Sequence, residues 1–233
     1  MKYPDFLEDC ALATQWMHER AGALGCDPGR LFLMGHCAGA YNTAMLALDH
    51  RGLAFRPAGW IGLAGPYDFL PSTNPAVQPV FNHPDYPPGS QPIEFADAQA
   101  PRTFLGAAPQ DPVVDPERNT RQLAAKLRGF GVATTLRLYP GTSHMTLIGA
   151  FATPLRWLAP LLDDVVRFIT AADGPDPSAF SRNGANPTQA QSNEYEYNRS
   201  TALSLPLCAR TESRRDSAYC MRSRLKRPRT PCS

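Results

Sequence analysis

Cys37 lies at the centre of a glycine-flanked turn, Gly-His-Cys-Ala-Gly, over residues 35–39. An apolar run over residues 31–34 precedes the turn, and residues 38–49 after it have the composition of a helix. A sharp turn between a strand and a helix holds its central residue in a strained conformation, so that the side chain stands clear of the sheet. The next backbone N–H, that of Ala38, is then free to bind an oxyanion. The pattern predicts a nucleophile elbow with Cys37 as the attacking residue. The residues that shape the turn are Gly35, His36 and Gly39.

Asp111 and His144 are the candidate acid and base for this nucleophile. Each follows a predicted strand, Asp111 after residues 102–106 and His144 after residues 133–139. Open α/β sheets place their sites at the carboxyl ends of strands, and nucleophile, acid, histidine is a known chain order for a triad on such sheets. In a triad His144 takes the nucleophile's proton, and Asp111 holds the imidazole in the required tautomer. The alternatives are an ordinary Asp-Pro turn residue and a solvated loop histidine. Two other acids compete with Asp111: Asp68 and Asp115.

The elements that must position these residues alternate between strands and helices. Apolar and β-branched runs predict strands over residues 31–34, 58–64, 102–106 and 133–139. Helical spacing of apolar residues predicts helices over residues 5–24, 38–49, 116–130 and 155–171. This alternation is typical of the α/β class, in which a mostly parallel sheet carries helices on both faces. Because residues 31–34 are all apolar, we expect their strand to be buried on both faces.

A proline-rich stretch over residues 65–100 interrupts the alternation. A loop of this length in a compact domain is usually functional or mobile. It is interpreted either as a cap over the site or as a surface excursion, and His83 within it has no partner that the sequence identifies.

Composition predicts one globular domain and a different C-terminal segment. The chain has 233 residues, 43% of them hydrophobic, and a formal net charge of only +2, so charge gives no general argument for nucleic acid or a membrane. Residues 1–172 are expected to form the domain. Residues 173–233 are basic, rich in Ser, Arg and Pro, and lack periodicity, which predicts a disordered tail without specific nucleic-acid binding.

The cysteines and the N-terminal segment bear on the cellular compartment. The six cysteines are scattered along the chain, so free thiols in a reducing compartment are expected rather than a disulfide framework. The sequence shows no signal peptide and no stretch of 18 apolar residues. We therefore expect a cytoplasmic protein with no membrane partner.

Four segments together resemble a known family. They are LFLMGHCAGAYNTAMLALD over residues 31–49, GLAGPYDFL over residues 62–70, the loop that contains Asp111, and residues 139–144. Over about residues 3–170 the chain resembles an α/β-hydrolase of the carboxylesterase type, close to the bacterial feruloyl-esterase-like and kynurenine-formamidase-like enzymes. The resemblance implies hydrolysis of a small carboxylic ester, or a related amide, by a triad without metal or organic cofactor.

Three departures from the family pattern shape the functional expectation. Cys37 stands where the family has serine; such a thiol, beside a histidine and at a helix N-terminus, is a strong nucleophile. The family's earlier strands and their His-Gly-Gly oxyanion loop have no counterpart in the sequence. Without these segments, the Ala38 N–H would be the sole backbone donor to an oxyanion. The truncated sheet would also have an unpaired edge strand, through which copies of the chain could associate. The tail matches nothing in the family. The prediction is an impaired hydrolase; the alternative is a non-catalytic hydrolase fragment that acts as a binding module.

Overall fold

The computed structural model describes residues 2–171. The tail predicted over residues 173–233 lies outside the described residues. The strands are β1 (Phe32–His36), β2 (Gly59–Leu63), β3 (Thr103–Ala107) and β4 (Thr134–Leu138). The helices are α1 (Asp5–Arg20), α2 (Ala38–Leu48), α3 (Gln122–Gly129), α4 (His144–Gly149) and α5 (Leu161–Thr170). Each predicted strand is found within two residues of its expected limits.

The four strands form one parallel sheet in the order β1-β2-β3-β4. Each strand therefore pairs with the next strand in the chain, and the carboxyl ends of all four strands lie at the same end of the sheet. Cys37, Asp111 and His144 follow β1, β3 and β4 respectively. Parallel pairing thus brings three distant segments of the chain to one end of the sheet.

Alternate strand residues face two helical layers, as the period of two in a strand requires. On one face Trp60 and Leu105 pack against α2 and α3; on the other, Ile61 and Phe104 pack in the cluster that holds apolar residues of α4 and α5. The prediction of an α/β fold with helices on both faces is confirmed.

Strand β1 is less buried than its composition predicts. It lies at one edge of the described sheet, and only Leu31 and Phe32 of the predicted apolar strand are buried, while residues 33–36 are half-buried. An edge strand has no neighbour on one side, so full burial does not follow from an apolar run. Helix α1 contributes no buried residue, and its Leu12 is 70% exposed.

Two predicted helices have different limits in the structure, and a glycine or a proline lies near each difference. The first ends at Arg20, and Gly25 with a φ of 75° terminates the short turn after it. The last is divided: Thr153–Leu158 form a 3-10 helix, and α5 begins only after Pro160. Proline cannot donate a backbone hydrogen bond within a helix, which accounts for the division.

The stretch over residues 65–100 has little regular structure but many fixed contacts. Its 3-10 helix is Pro92–Phe95. Asn119 accepts hydrogen bonds from the N–H groups of Tyr67 and Asp68, and the hydroxyl of Tyr41 donates to the carbonyl of Ser90 at 2.8 Å. The loop is therefore anchored to α2 and to the turn that precedes α3. Its role as a cap stays a prediction.

The state of the thiols and the character of the helices can be described for residues 2–171. Cys10, Cys26 and Cys37 are free thiols. Among residues 2–171, none of the helices combines the length and the apolar character needed to cross a membrane.

Candidate active site

Cys37 has a backbone conformation that residues other than glycine rarely adopt. Its φ is 53° and its ψ is −122°, a strained combination for a residue other than glycine. Its N–H donates to the carbonyl of Leu63 at 2.9 Å, which extends the β1–β2 ladder by one residue, and its carbonyl accepts from Ala40 at 3.0 Å. The residue thus passes directly from strand to helix, which is the geometry of a nucleophile elbow.

The two glycines of the elbow have different roles. A Cβ added to Gly35 would lie 2.1 Å from the carbonyl oxygen of Gly39, so the close approach of β1 to α2 requires glycine at position 35. A Cβ added to Gly39 would meet nothing within 4 Å. A steric requirement for glycine therefore exists at position 35, whereas position 39 has room for a side chain.

Ala38 is the first residue of α2. The N–H groups in the first turn of a helix have no partner within the helix and carry the positive end of its dipole. The Ala38 N–H therefore follows Cys37 in the position that suits an oxyanion donor.

Asp111 and His144 form a buried pair. The Oδ2 atom of Asp111 lies 2.7 Å from Nδ1 of His144, and the side chains are 0% and 7% exposed respectively. The other carboxylate oxygen accepts hydrogen bonds from the N–H groups of Val113 and Val114, at 2.8 and 3.1 Å. Asp111 is therefore both a turn residue and the partner of the imidazole, so the two interpretations made from the sequence are compatible.

The sequence suggests a loop position for His144. In the structure His144 is instead the first residue of helix α4. Ser143 is the N-cap: its side chain accepts from the Thr146 N–H, and the Thr146 side chain accepts from the Ser143 N–H. This reciprocal capping box satisfies two N–H groups and fixes the first residue of the helix. The Ser-x-x-Thr spacing was visible in the sequence, but a six-residue helix gives too short an apolar pattern to predict.

The competing acids have other partners. Asp68 forms an ion pair with Arg118 at 3.4 Å, and Asp115 accepts from the N–H groups of Glu117 and Arg118. Among the described residues, Asp111 is the one of the three candidate acids that hydrogen-bonds to the imidazole of His144.

His36 has a contact that the sequence did not predict. Its Nε2 lies 2.8 Å from the backbone carbonyl oxygen of His144, and the centroids of the two rings are 4.7 Å apart. Burial lowers the pKa of His36 below its usual value of 6.5. The expectation that His36 shapes the turn is therefore incomplete, since its side chain reaches the histidine segment. His83, for which the sequence identified no partner, stacks on Tyr86.

Within residues 2–171, no group of three or more His, Cys, Asp and Glu side chains has the arrangement of a metal site.

Comparisons with known proteins agree with this architecture. Residues 1–85 match a family model described as the alpha/beta hydrolase fold. No curated protein matches the chain.

Solved structures of esterases superpose on most of the chain. An acetyl ester-xyloside bifunctional hydrolase from Caldicellulosiruptor lactoaceticus has a TM-score of 0.61 at 17% identity, with 72% of this chain and 67% of that chain covered. A truncated carbohydrate esterase from gut microbiota has a TM-score of 0.57 at 17% identity, with 73% and 69% covered. The esterase Est2 of Thermogutta terrifontis has a TM-score of 0.57 at 19% identity, with 73% and 66% covered.

The chain spans about two thirds of the length of these solved proteins. At such low identity the likeness shows a common fold, and the family model places the elbow segment within the same fold. The chain has the α/β-hydrolase fold.

Proposed function

We propose that the chain reacts with a carboxylic ester, or a related amide, through Cys37, His144 and Asp111. The observation that carries the proposal is the buried 2.7 Å contact between Asp111 and His144, in a fold whose elbow holds Cys37 at a positive φ. The esterases among the structural neighbours support an ester as the substrate. Ester hydrolysis by the whole protein is part of this proposal, which leaves the acyl group of the substrate open.

The proposed reaction begins with proton transfer from Cys37 to His144. The sulfur then attacks the ester carbonyl carbon, and the carbonyl oxygen takes the negative charge beside the Ala38 N–H. When the tetrahedral intermediate collapses, the C–O bond breaks and His144 returns the proton to the leaving alcohol. The product is a thioester on Cys37. Water, deprotonated by His144, hydrolyses it to release the acid and the thiol.

We expect the first half of this sequence to be faster than the second. Sulfur is larger than oxygen, so an oxyanion site shaped for serine is displaced relative to the intermediate formed on Cys37, and displacements of a fraction of an ångström are costly. The acyl enzyme should therefore accumulate with little turnover.

Mass spectrometry after exposure to p-nitrophenyl acetate tests the proposal. We expect one acetyl group on Cys37 and a rate of p-nitrophenol release that falls at least about tenfold in His144→Ala. Cys10 and Cys26 are free thiols in the same chain, so they serve as internal controls for nonspecific acylation. Equal labelling of the three cysteines, or labelling that His144→Ala leaves unchanged, would contradict the proposed function.

A folded chain without selective labelling of Cys37 would instead favour the non-catalytic alternative. The feature that supports this alternative is the half-buried edge strand β1. Concentration-dependent sedimentation would then test self-association through that edge.

A further inference from the structure

The contact between His36 and His144 joins the segments at the carboxyl ends of the two outer strands of the described sheet. His36 is the last residue of β1, and His144 follows β4. Four strands in sequential order place β1 and β4 three spacings apart, about 14 Å. A hydrogen bond of 2.8 Å between the His36 side chain and the His144 backbone therefore links two segments that the sheet itself separates.

The chemistry of this contact determines the state of the His36 ring. A backbone carbonyl only accepts hydrogen bonds, so Nε2 of His36 must carry the proton. Burial lowers the pKa of His36, and the nearby His144 lowers it further, whereas its bond to the His144 carbonyl and the charge of Asp111 act in the opposite direction. Near neutral pH the ring is therefore neutral, with a bare Nδ1.

We propose that His36 is a positioning residue that holds the backbone of His144 against the nucleophile elbow. Asp111 holds the imidazole of His144 at Nδ1, and His36 holds its main chain. Two contacts from different elements fix where the remaining nitrogen, Nε2, can lie relative to Cys37. This inference rests on the proposed function, because its consequence is the transfer of the Cys37 proton to His144.

The cost of losing this contact follows from geometry. His144 belongs to a helix of only six residues, so its main chain can shift when one of its contacts is removed. A displacement of about 1 Å at a catalytic group can slow a reaction up to about a hundredfold. A single neutral hydrogen bond contributes up to about 1.4 kcal/mol, which corresponds to roughly a tenfold change.

The test compares two substitutions of His36 with a control elsewhere. His36→Phe keeps an aromatic ring without a donor, and we expect it to slow Cys37 acylation by p-nitrophenyl acetate about tenfold. His36→Gln provides an N–H donor close to the position of Nε2 and should restore most of the lost rate. His50→Gln is the control, because His50 pairs with Asp97 on the surface. It should leave the rate of Cys37 acylation unchanged. Equal rates in wild type and His36→Phe, or equal losses in the Phe and Gln variants, would overturn the proposal.

A measurement on the wild-type protein covers the case in which the Phe variant does not fold. Nitrogen-15 chemical shifts of the His36 ring report its tautomer, and the proposal requires the neutral form with the proton on Nε2. A proton on Nδ1 would overturn it. The His144→Ala variant separates the two levels of inference. If it acylates as fast as wild type, the proposed function fails; if it is slow while His36→Phe is fast, only the positioning role fails.

Discussion

The carboxylate of Asp111 divides its two oxygens between two tasks. Oδ2 contacts His144 at 2.7 Å, while Oδ1 accepts from the N–H groups of Val113 and Val114. An amide at this position can keep the second set of contacts, since its oxygen also accepts two hydrogen bonds. It cannot offer the same negative charge to the imidazolium that the proposed mechanism forms on His144.

Asp111→Asn should therefore fold and react slowly. We expect a fall in Cys37 acylation of at least about tenfold, because the neutral amide both favours the wrong tautomer of His144 and leaves its positive charge uncompensated. Release of p-nitrophenol under single-turnover conditions measures the change. Asp68→Asn is the matched control, because that carboxylate pairs with Arg118 instead; a similar loss there would contradict the assignment of Asp111.

At the scale of elements, the elbow depends on how closely strand β1 approaches helix α2. Gly35 meets the backbone of Gly39 in this approach, whereas Gly39 itself faces open space. The elbow is thus specified by a backbone-to-backbone contact, and the two glycines of the sequence motif are not equivalent.

Alanine substitutions at these two glycines should have opposite effects on stability. Gly35→Ala forces a Cβ against backbone atoms that cannot move alone, and we expect a loss of at least about 3 kcal/mol. Gly39→Ala adds a helix-favouring residue in α2 and should raise stability by up to about 1 kcal/mol. Urea unfolding followed by circular dichroism measures both. A Gly35→Ala protein as stable as wild type would show that the elbow relaxes more easily than its geometry indicates.

The cap of α4 gives another prediction about an element. Ser143→Ala removes the side chain that accepts from the Thr146 N–H, and loss of such a cap costs about 1 kcal/mol. Because His144 is the first residue of α4, we also expect slower acylation of Cys37. Unfolding and acylation are measured on the same preparation; a loss of stability with an unchanged acylation rate would show that the cap does not position His144.

The sequence predicted the elements whose physical signals are local. Four apolar or β-branched runs gave the strands, and the Gly-x-Cys-x-Gly turn gave the elbow. The division at Pro160 and the helix that begins at His144 were missed, the first because the apolar spacing continues across the proline. The contact of His36 with His144 was also missed. It joins residues 108 positions apart, and no local pattern encodes which backbone carbonyl a side chain will reach.

At the scale of the whole molecule, the candidate site combines three segments that the parallel sheet places at the carboxyl ends of its strands. Cys37, Asp111 and His144 follow β1, β3 and β4, so a change that loosens the sheet should also separate these three candidate residues. The contact of His36 crosses this assembly from one edge strand toward the other. Its protonation state therefore bears on the stability of the fold as well as on the site.

The stability of the protein should fall as the pH drops through 6.5, and His36 should account for part of the fall. Burial lowers the pKa of His36 in the folded protein below 6.5, its ordinary value. Between these two pKa values the unfolded chain binds more protons than the folded one, so the free energy of unfolding rises with pH across that window. The groups that act on the ring are His144 and Asp111, and a proton on His36 would also add positive charge beside His144. Urea unfolding on either side of pH 6.5 should show a smaller pH dependence in His36→Gln than in wild type or in His50→Gln. The same pH dependence in all three proteins would mean that His36 titrates alike in the folded and unfolded chains, contrary to its buried contact with His144.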